Sequence, residues 1–218
     1  MLSFSHIDVA NHFYERLKEN QLSFNLDKRA FFRGNILPDK QRHLFGAHFW
    51  DESRKDYERY LQRANDNKLT DIQRSEALGI VCHFLCDYFC KYHTIQPYKS
   101  IQDHRHFLYE AQLHIKMKAI MIKRRLIGAN RNEENIFSGI ELMNFIDKSG
   151  SIDMLMEVYK NTKESLITDL TFQFAAVRSI LINTLNLHQT DLEEQAYEGS
   201  YIGLPSFYEV GWDDGYDR

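Results

Sequence analysis

From Ala77 to Phe89 the chain reads Ala-Leu-Gly-Ile-Val-Cys-His-Phe-Leu-Cys-Asp-Tyr-Phe, apolar enough to be buried throughout, yet it carries an imidazole, His83, and a carboxylate, Asp87. Residues four apart lie one above the other on an α-helix, so a helical reading puts both polar groups on one stripe. At a surface such a pair is an ordinary hydrogen bond. Inside an apolar run the carboxylate needs a compensating partner, and a metal ion satisfies carboxylate and imidazole together. Any fold of this chain has to bury the segment around a polar centre.

More side chains of metal-binding type follow and precede it. His93 comes six residues after Asp87, and His106 and Glu110 repeat the four-residue spacing. Upstream stand His6, the segment Gly34-Asn35-Ile36-Leu37-Pro38-Asp39, and two histidines, His43 and His48. His, Asp and Glu without Cys suit Zn²⁺ or a similar borderline metal at an open, catalytic site better than a closed structural one.

In order and spacing this set resembles the zinc-dependent phospholipase C and S1/P1 nuclease superfamily. There a Gly-x-x-x-Pro-Asp loop, a later His, a His-x3-Asp helix, a His six residues on and a His-x3-Glu/Asp helix build a three-metal cluster. The motifs span residues 1 to about 115. The resemblance implies an all-α, multi-helix single domain and two or three Zn²⁺ per chain. It places Asp39, His48, His83 and Asp87 on one zinc, and His93, His106 and Glu110 on a second. His6 matches the early His of a third, which shares Asp87 as a bridge. Between the two upstream histidines, His48 fits better than His43, because Phe45 and Phe49 supply the apolar surroundings of the family's pattern. Secreted members complete the third site with the amine and carbonyl of an N-terminal Trp. This chain begins Met1-Leu2-Ser3-Phe4 instead, so the Met1 amine is the candidate stand-in.

Clustered zinc ions suit hydrolysis of phosphate esters, because cations acidify water and neutralise phosphate oxygens. The resemblance gives Asp87 the bridging role and makes Asp39 both ligand and proton acceptor from the attacking water. The expected activity is a phospholipase C-like phosphodiesterase, with a phosphate ester such as a phospholipid headgroup as substrate. Two alternatives stay open: a nuclease or nucleotide-directed phosphatase on the same scaffold, which needs an aromatic base-stacking site, and a catalytically idle metal-binding protein. An HD-type phosphohydrolase is disfavoured because no His-Asp dipeptide occurs, and a ferritin-like di-iron protein because no Glu-x-x-His does.

A chain of 218 residues is long enough for one sizeable core and short for two. Its formal charge of −4 gives no basic footprint for nucleic acid. Asp8, Glu15, Arg16 and Lys18 interrupt the first twenty residues, no stretch reaches the length of a transmembrane helix, and Cys82, Cys86 and Cys90 fall on one helical stripe as small buried residues. These features point to a cytoplasmic protein. Residues 1–188 form the expected helical domain. Residues 189–218 form an acidic tail interleaved with Tyr197, Tyr201, Phe207, Tyr208, Trp212 and Tyr216.

With only 3 Pro and 10 Gly, and apolar residues recurring at three and four, helices are expected throughout. The first runs from a Ser5-x-x-Asp8 cap to about Glu19, and the second from Leu26 to Arg33, stopped by Gly34; Pro38 keeps Asp39 out of helix. A polar helix capped by Asp51 or Ser53 reaches Ala64. Thr70-Asp71-Ile72-Gln73 is a capping box opening a helix to about Lys91, which leaves His93 in a loop. Ser100-x-x-Asp103 starts the helix of His106 and Glu110, and further helices span Glu133 to Lys148, Ser151 to Lys163 and Leu166 to Leu187. Gly79, one turn before His83, marks either a close backbone approach serving the site or simply a tight helix crossing.

Overall fold

In the computed structural model the described residues are 1–18, 22–46, 48–95, 104–127, 142, 146 and 151–187. Among them are ten helices and no strand: α1 (Ser3–Leu17), α2 (Lys28–Gly34), α3 (Leu37–Lys40), α4 (Arg42–Phe45), α5 (Trp50–Asn65), α6 (Asp71–Tyr88), α7 (Lys91–Thr94), α8 (His104–Ile127), α9 (Asp153–Lys160) and α10 (Leu166–Leu185). The protein is all-helical. The expected Glu133–Lys148 helix apart from residues 142 and 146, the Ser100-x-x-Asp103 start, His188 and the acidic tail lie outside the described residues.

Helix α6 is the axis of the fold. Its capping box is formed as the sequence indicates, Thr70 accepting from Gln73 N–H while the Gln73 side chain takes the Thr70 N–H. From Ala77 to Tyr88 every residue is buried. α2, α5 and α10 pack around it. On α5 the buried positions Trp50, Ser53, Tyr57, Leu61 and Ala64 recur at three and four, leaving its charged face in water. α10 covers the far side, and Gln173 donates to the carbonyls of Cys86 at 2.9 Å and Phe89 at 3.1 Å. These are carbonyls that a helix end leaves without an internal partner, so α10 fixes the end of α6 where Asp87 sits.

The crossing of α2 over α6 is made by two glycines. A Cβ on Gly79 would stand 2.2 Å from the Phe31 carbonyl oxygen, and one on Gly34 2.2 Å from that of Glu76. Both expectations for Gly79 meet here, since the tight crossing is also the approach that brings Asn35 onto His83.

Several local expectations give way to tertiary contacts. α1 begins at Ser3 with no side-chain cap, because the Ser5 hydroxyl is buried and bonded to His114 Nδ1 at 3.0 Å. Neither Asp51 nor Ser53 caps α5; the Ser53 hydroxyl faces inward to the Phe49 carbonyl and the Tyr88 hydroxyl. Pro38 does not hold Asp39 out of helix but lies in the first turn of the short α3, where its missing N–H costs nothing. α6 ends at Tyr88, earlier than expected, and His93 lies on the single turn α7 rather than in a loop.

Candidate metal centre

The polar groups of five elements converge where α6 ends. α6 contributes His83 and Asp87, α1 contributes His6, and Met1 precedes it. α3 supplies Asp39 and the segment before α5 supplies His48. α7 and α8 bring His93, His106 and Glu110. His6, His83 and Asp87 are fully buried, and His48, His93 and Glu110 nearly so. His43 is exposed and outside the group. Among the described residues three sets have ligand atoms within 4.8 Å of one another: His6, His83 and Asp87; Asp39, His48 and His83; and Cys90, His93 and Glu110.

Asp87 is the hub. Its Oδ1 meets the Met1 amine and lies 3.3 Å from His6 Nε2; its Oδ2 lies 2.9 Å from His48 Nδ1 and 3.1 Å from His83 Nε2. Asp39 closes the same side, Oδ1 standing 3.8 Å from His48 Nδ1 and 4.0 Å from His83 Nε2, while Ser3 Oγ donates to its Oδ2 at 2.5 Å. The second group centres on Glu110 Oε1, which lies 3.0 Å from both His93 Nε2 and His106 Nε2 and 2.9 Å from the Met1 amine.

Burial alone would push the Asp87 carboxyl up, but the Met1 amine and then His93, His6 and His83 hold it well below the usual range. Glu110 behaves alike, lowered by the Met1 amine, His106 and His93 against its own burial. Asp39 is lowered too, the fields of His83 and His6 outweighing desolvation. His6 is the reverse case: burial, then the adjacent His83, bring its imidazole down to about 4. Three ionised carboxylates and a neutral buried imidazole thus share one pocket.

The arrangement fits a cation. His83 Nδ1 lies 2.9 Å from the Asn35 carbonyl, which can only accept, so that nitrogen carries the proton. In the neutral ring the Nε2 lone pair then faces Asp87 Oδ2, acceptor against acceptor. His93 repeats the pattern, Nδ1 at 3.3 Å from the His48 carbonyl and Nε2 on Glu110. A backbone carbonyl that fixes the far nitrogen is the usual support of a metal-ligating histidine. Moreover, both ring nitrogens of His6 and Nε2 of His48 are buried without a hydrogen-bond partner. A zinc ion among these atoms would relieve the facing lone pairs and the orphaned nitrogens together.

Some contributors are not visible in the sequence. Ser3 and Asn35 carry no motif signal, although Asn35 stands inside the Gly-x-x-x-Pro-Asp segment. Cys90 packs with Tyr92 and Tyr109, as a small buried residue would, yet its sulfur is also within reach of His93 and Glu110. Asp169 lies in the apolar run of α10. It is buried and accepts from Tyr109 Oη at 2.7 Å, Tyr159 Oη at 2.8 Å and the Lys91 backbone N–H at 3.1 Å. One carboxylate therefore ties down α7, α8 and α9, two of which carry the His93/His106/Glu110 group.

Burial raises the Asp169 carboxyl to about 6, with the three donors offsetting part of the penalty. A raised folded-state value means that the folded protein holds the proton more tightly than the unfolded chain does. Stability tied to Asp169 is therefore present at acid pH and lost as pH rises from about 4 through 6. Asp169→Asn should flatten that slope, so the stability difference between the two proteins should change by up to roughly 3 kcal/mol across this window. Denaturant melts at pH 4.5 and 7 measure it, and parallel curves for the two proteins would remove Asp169 as the titrating group.

Against known proteins, the zinc-dependent phospholipase C family model matches residues 5–148. No curated protein and no solved structure matches the chain.

Proposed function

The chain belongs to the zinc-dependent phospholipase C family, and from that premise we propose that it is a phospholipase C-like phosphodiesterase. The reading is supported most by the two carbonyl-anchored imidazoles, His83 and His93, whose remaining lone pairs are turned onto Asp87 and Glu110. Asp39, His48, His83 and Asp87 would hold one Zn²⁺, His93, His106 and Glu110 a second, and His6 with Asp87 a third. When bound, the ions supply an acidified water and neutralise phosphate oxygens.

The chain's own groups do the rest. Ser3 Oγ occupies Asp39 Oδ2, which leaves Oδ1 facing His48 and His83. Asp39 stays ionised and, being less buried than Asp87, is the carboxylate reachable by a substrate and its attacking water. It would accept a proton from the water whose oxygen bonds to phosphorus while the P–O bond to the leaving alcohol breaks, and that proton would then pass to the departing alkoxide. Asp87 is fully buried and touches His6, His48 and His83, so besides serving two of the zinc positions it holds these three imidazoles around a common centre.

We include the Met1 amine in the ligand set. It lies between Asp87 and Glu110, and although burial lowers its affinity for a proton, those two carboxylates raise it well above the ordinary range. As an ammonium it balances their charge; as an amine it is a ligand. A variant with extra residues ahead of Met1 should bind one zinc ion fewer and turn over more slowly. Equal zinc content and rate would take Met1 out of the set.

The protein should carry at least two zinc ions and hydrolyse bis-p-nitrophenyl phosphate. Elemental analysis with no transition metal, and no uptake of added Zn²⁺, would end this reading.

A further inference from the structure

Helix α8 has two working faces. Inward, it presents His106, Tyr109, Glu110, Leu113 and Met117 to the centre and the core. Outward, Leu108, Ile115 and Ile122 are 53 %, 67 % and 54 % exposed, at seven-residue intervals, and therefore in line along one side of the helix. Their span is about 21 Å at the helical rise of about 1.5 Å per residue. Phe107, also exposed, flanks the line beside His106. Exposed Arg105, Lys116 and Lys123 share one angular position along its other edge. The only carboxylate of α8 is Glu110, which faces inward.

An apolar centre with a basic edge is the pattern of a helix that lies in the plane of a lipid surface, side chains in the acyl boundary and cations among the headgroups. A second copy of this face is disfavoured, because four half-exposed side chains fall far short of the ~800 Å² per partner of a stable interface. No helix among the described residues is long and apolar enough to cross a membrane.

We propose that the outer face of α8 docks the protein on anionic phospholipid bilayers, through Leu108, Ile115 and Ile122 with the Arg105/Lys116/Lys123 edge. The inference builds on the phosphodiesterase reading and names the surface from which such an enzyme would draw its substrate. Phe4, 54 % exposed two residues before His6 and edge-on to His114 of α8, extends the apolar rim towards Met1.

Full-length protein is sedimented with vesicles of phosphatidylcholine alone and of phosphatidylcholine with phosphatidylserine, while bis-p-nitrophenyl phosphate turnover is read in parallel. Binding should require phosphatidylserine and weaken with salt. Each basic residue at the surface is worth about fivefold, from ~1 kcal/mol per charge, so Lys116→Glu/Lys123→Glu should lose at least that factor for each position. Ile115→Asp/Ile122→Asp should lose binding more than tenfold, with turnover of the soluble ester unchanged in both variants. Protein that ignores both kinds of vesicle overturns the proposal and leaves the face to the acidic residues 189–218 or to a second copy. Variants that bind as well as the parent overturn it too. A parent that binds vesicles but leaves the soluble ester intact refutes the phosphodiesterase reading while the docking surface stands.

Discussion

Replacing Asp87 by Asn should abolish measurable phosphodiester hydrolysis, a loss on the order of 10³-fold for removal of a central electrostatic group. The side chain keeps its volume, so packing around α6 is unchanged. What goes is the negative charge that the Met1 amine, His6, His48 and His83 share. The amide presents one oxygen and two N–H donors where two acceptor oxygens stood, so one donor is turned towards a buried nitrogen. Two of the proposed zinc positions depend on this carboxylate, and zinc content should fall with activity. Stability should fall as well, since truncating a buried ionic group leaves its partners uncompensated, at a cost of about 3–5 kcal/mol. Zinc analysis, turnover of bis-p-nitrophenyl phosphate and a thermal melt on one preparation make the test. Wild-type zinc and rate in Asp87→Asn would sink the assignment.

Gly79→Ala should loosen the packing of α2 on α6. The added methyl would meet the Phe31 carbonyl oxygen at 2.2 Å, and because that atom is backbone no rotamer change relieves it. α2 has to move off α6, and overpacking of this kind costs about 1–3 kcal/mol. The better helix propensity of Ala returns up to about 1 kcal/mol, less than the upper part of that cost. For a protein of this size each kcal/mol lowers Tm by roughly 2–4 °C. The displacement also reaches the site, since α2 leads into Asn35, whose carbonyl orients His83. Zinc should therefore be held more weakly in Gly79→Ala than in a surface Gly→Ala control. An unchanged Tm and zinc affinity would show that the crossing relaxes without strain.

Much of the fold class was written in the chain. The capping box at Thr70, the three-and-four pattern of α5 and the scarcity of Pro and Gly each report on a few neighbouring residues, and helices are local objects. The ligand pairs His83/Asp87 and His106/Glu110 are legible for the same reason, because four residues along a helix is a fixed displacement in space. Where the sequence reading failed, a contact from elsewhere had changed the role of a local signal. Ser5 and Ser53 look like caps but spend their hydroxyls on His114 and Tyr88.

What no local pattern specifies is which elements meet. The Met1 amine between Asp87 and Glu110, Ser3 on Asp39, the Asn35 carbonyl behind His83 and Asp169 beneath Tyr109 join residues far apart in the chain. The Asn35 contact depends on how closely α2 and α6 can approach, which the missing side chains at Gly34 and Gly79 permit. The sequence determined the helices and the chemical types of the centre's groups, because both follow from short-range periodicity. Tertiary structure alone decided which nitrogen each histidine turns inward and which carboxylate becomes the hub, because those depend on long-range contacts made only when the helices close on one another.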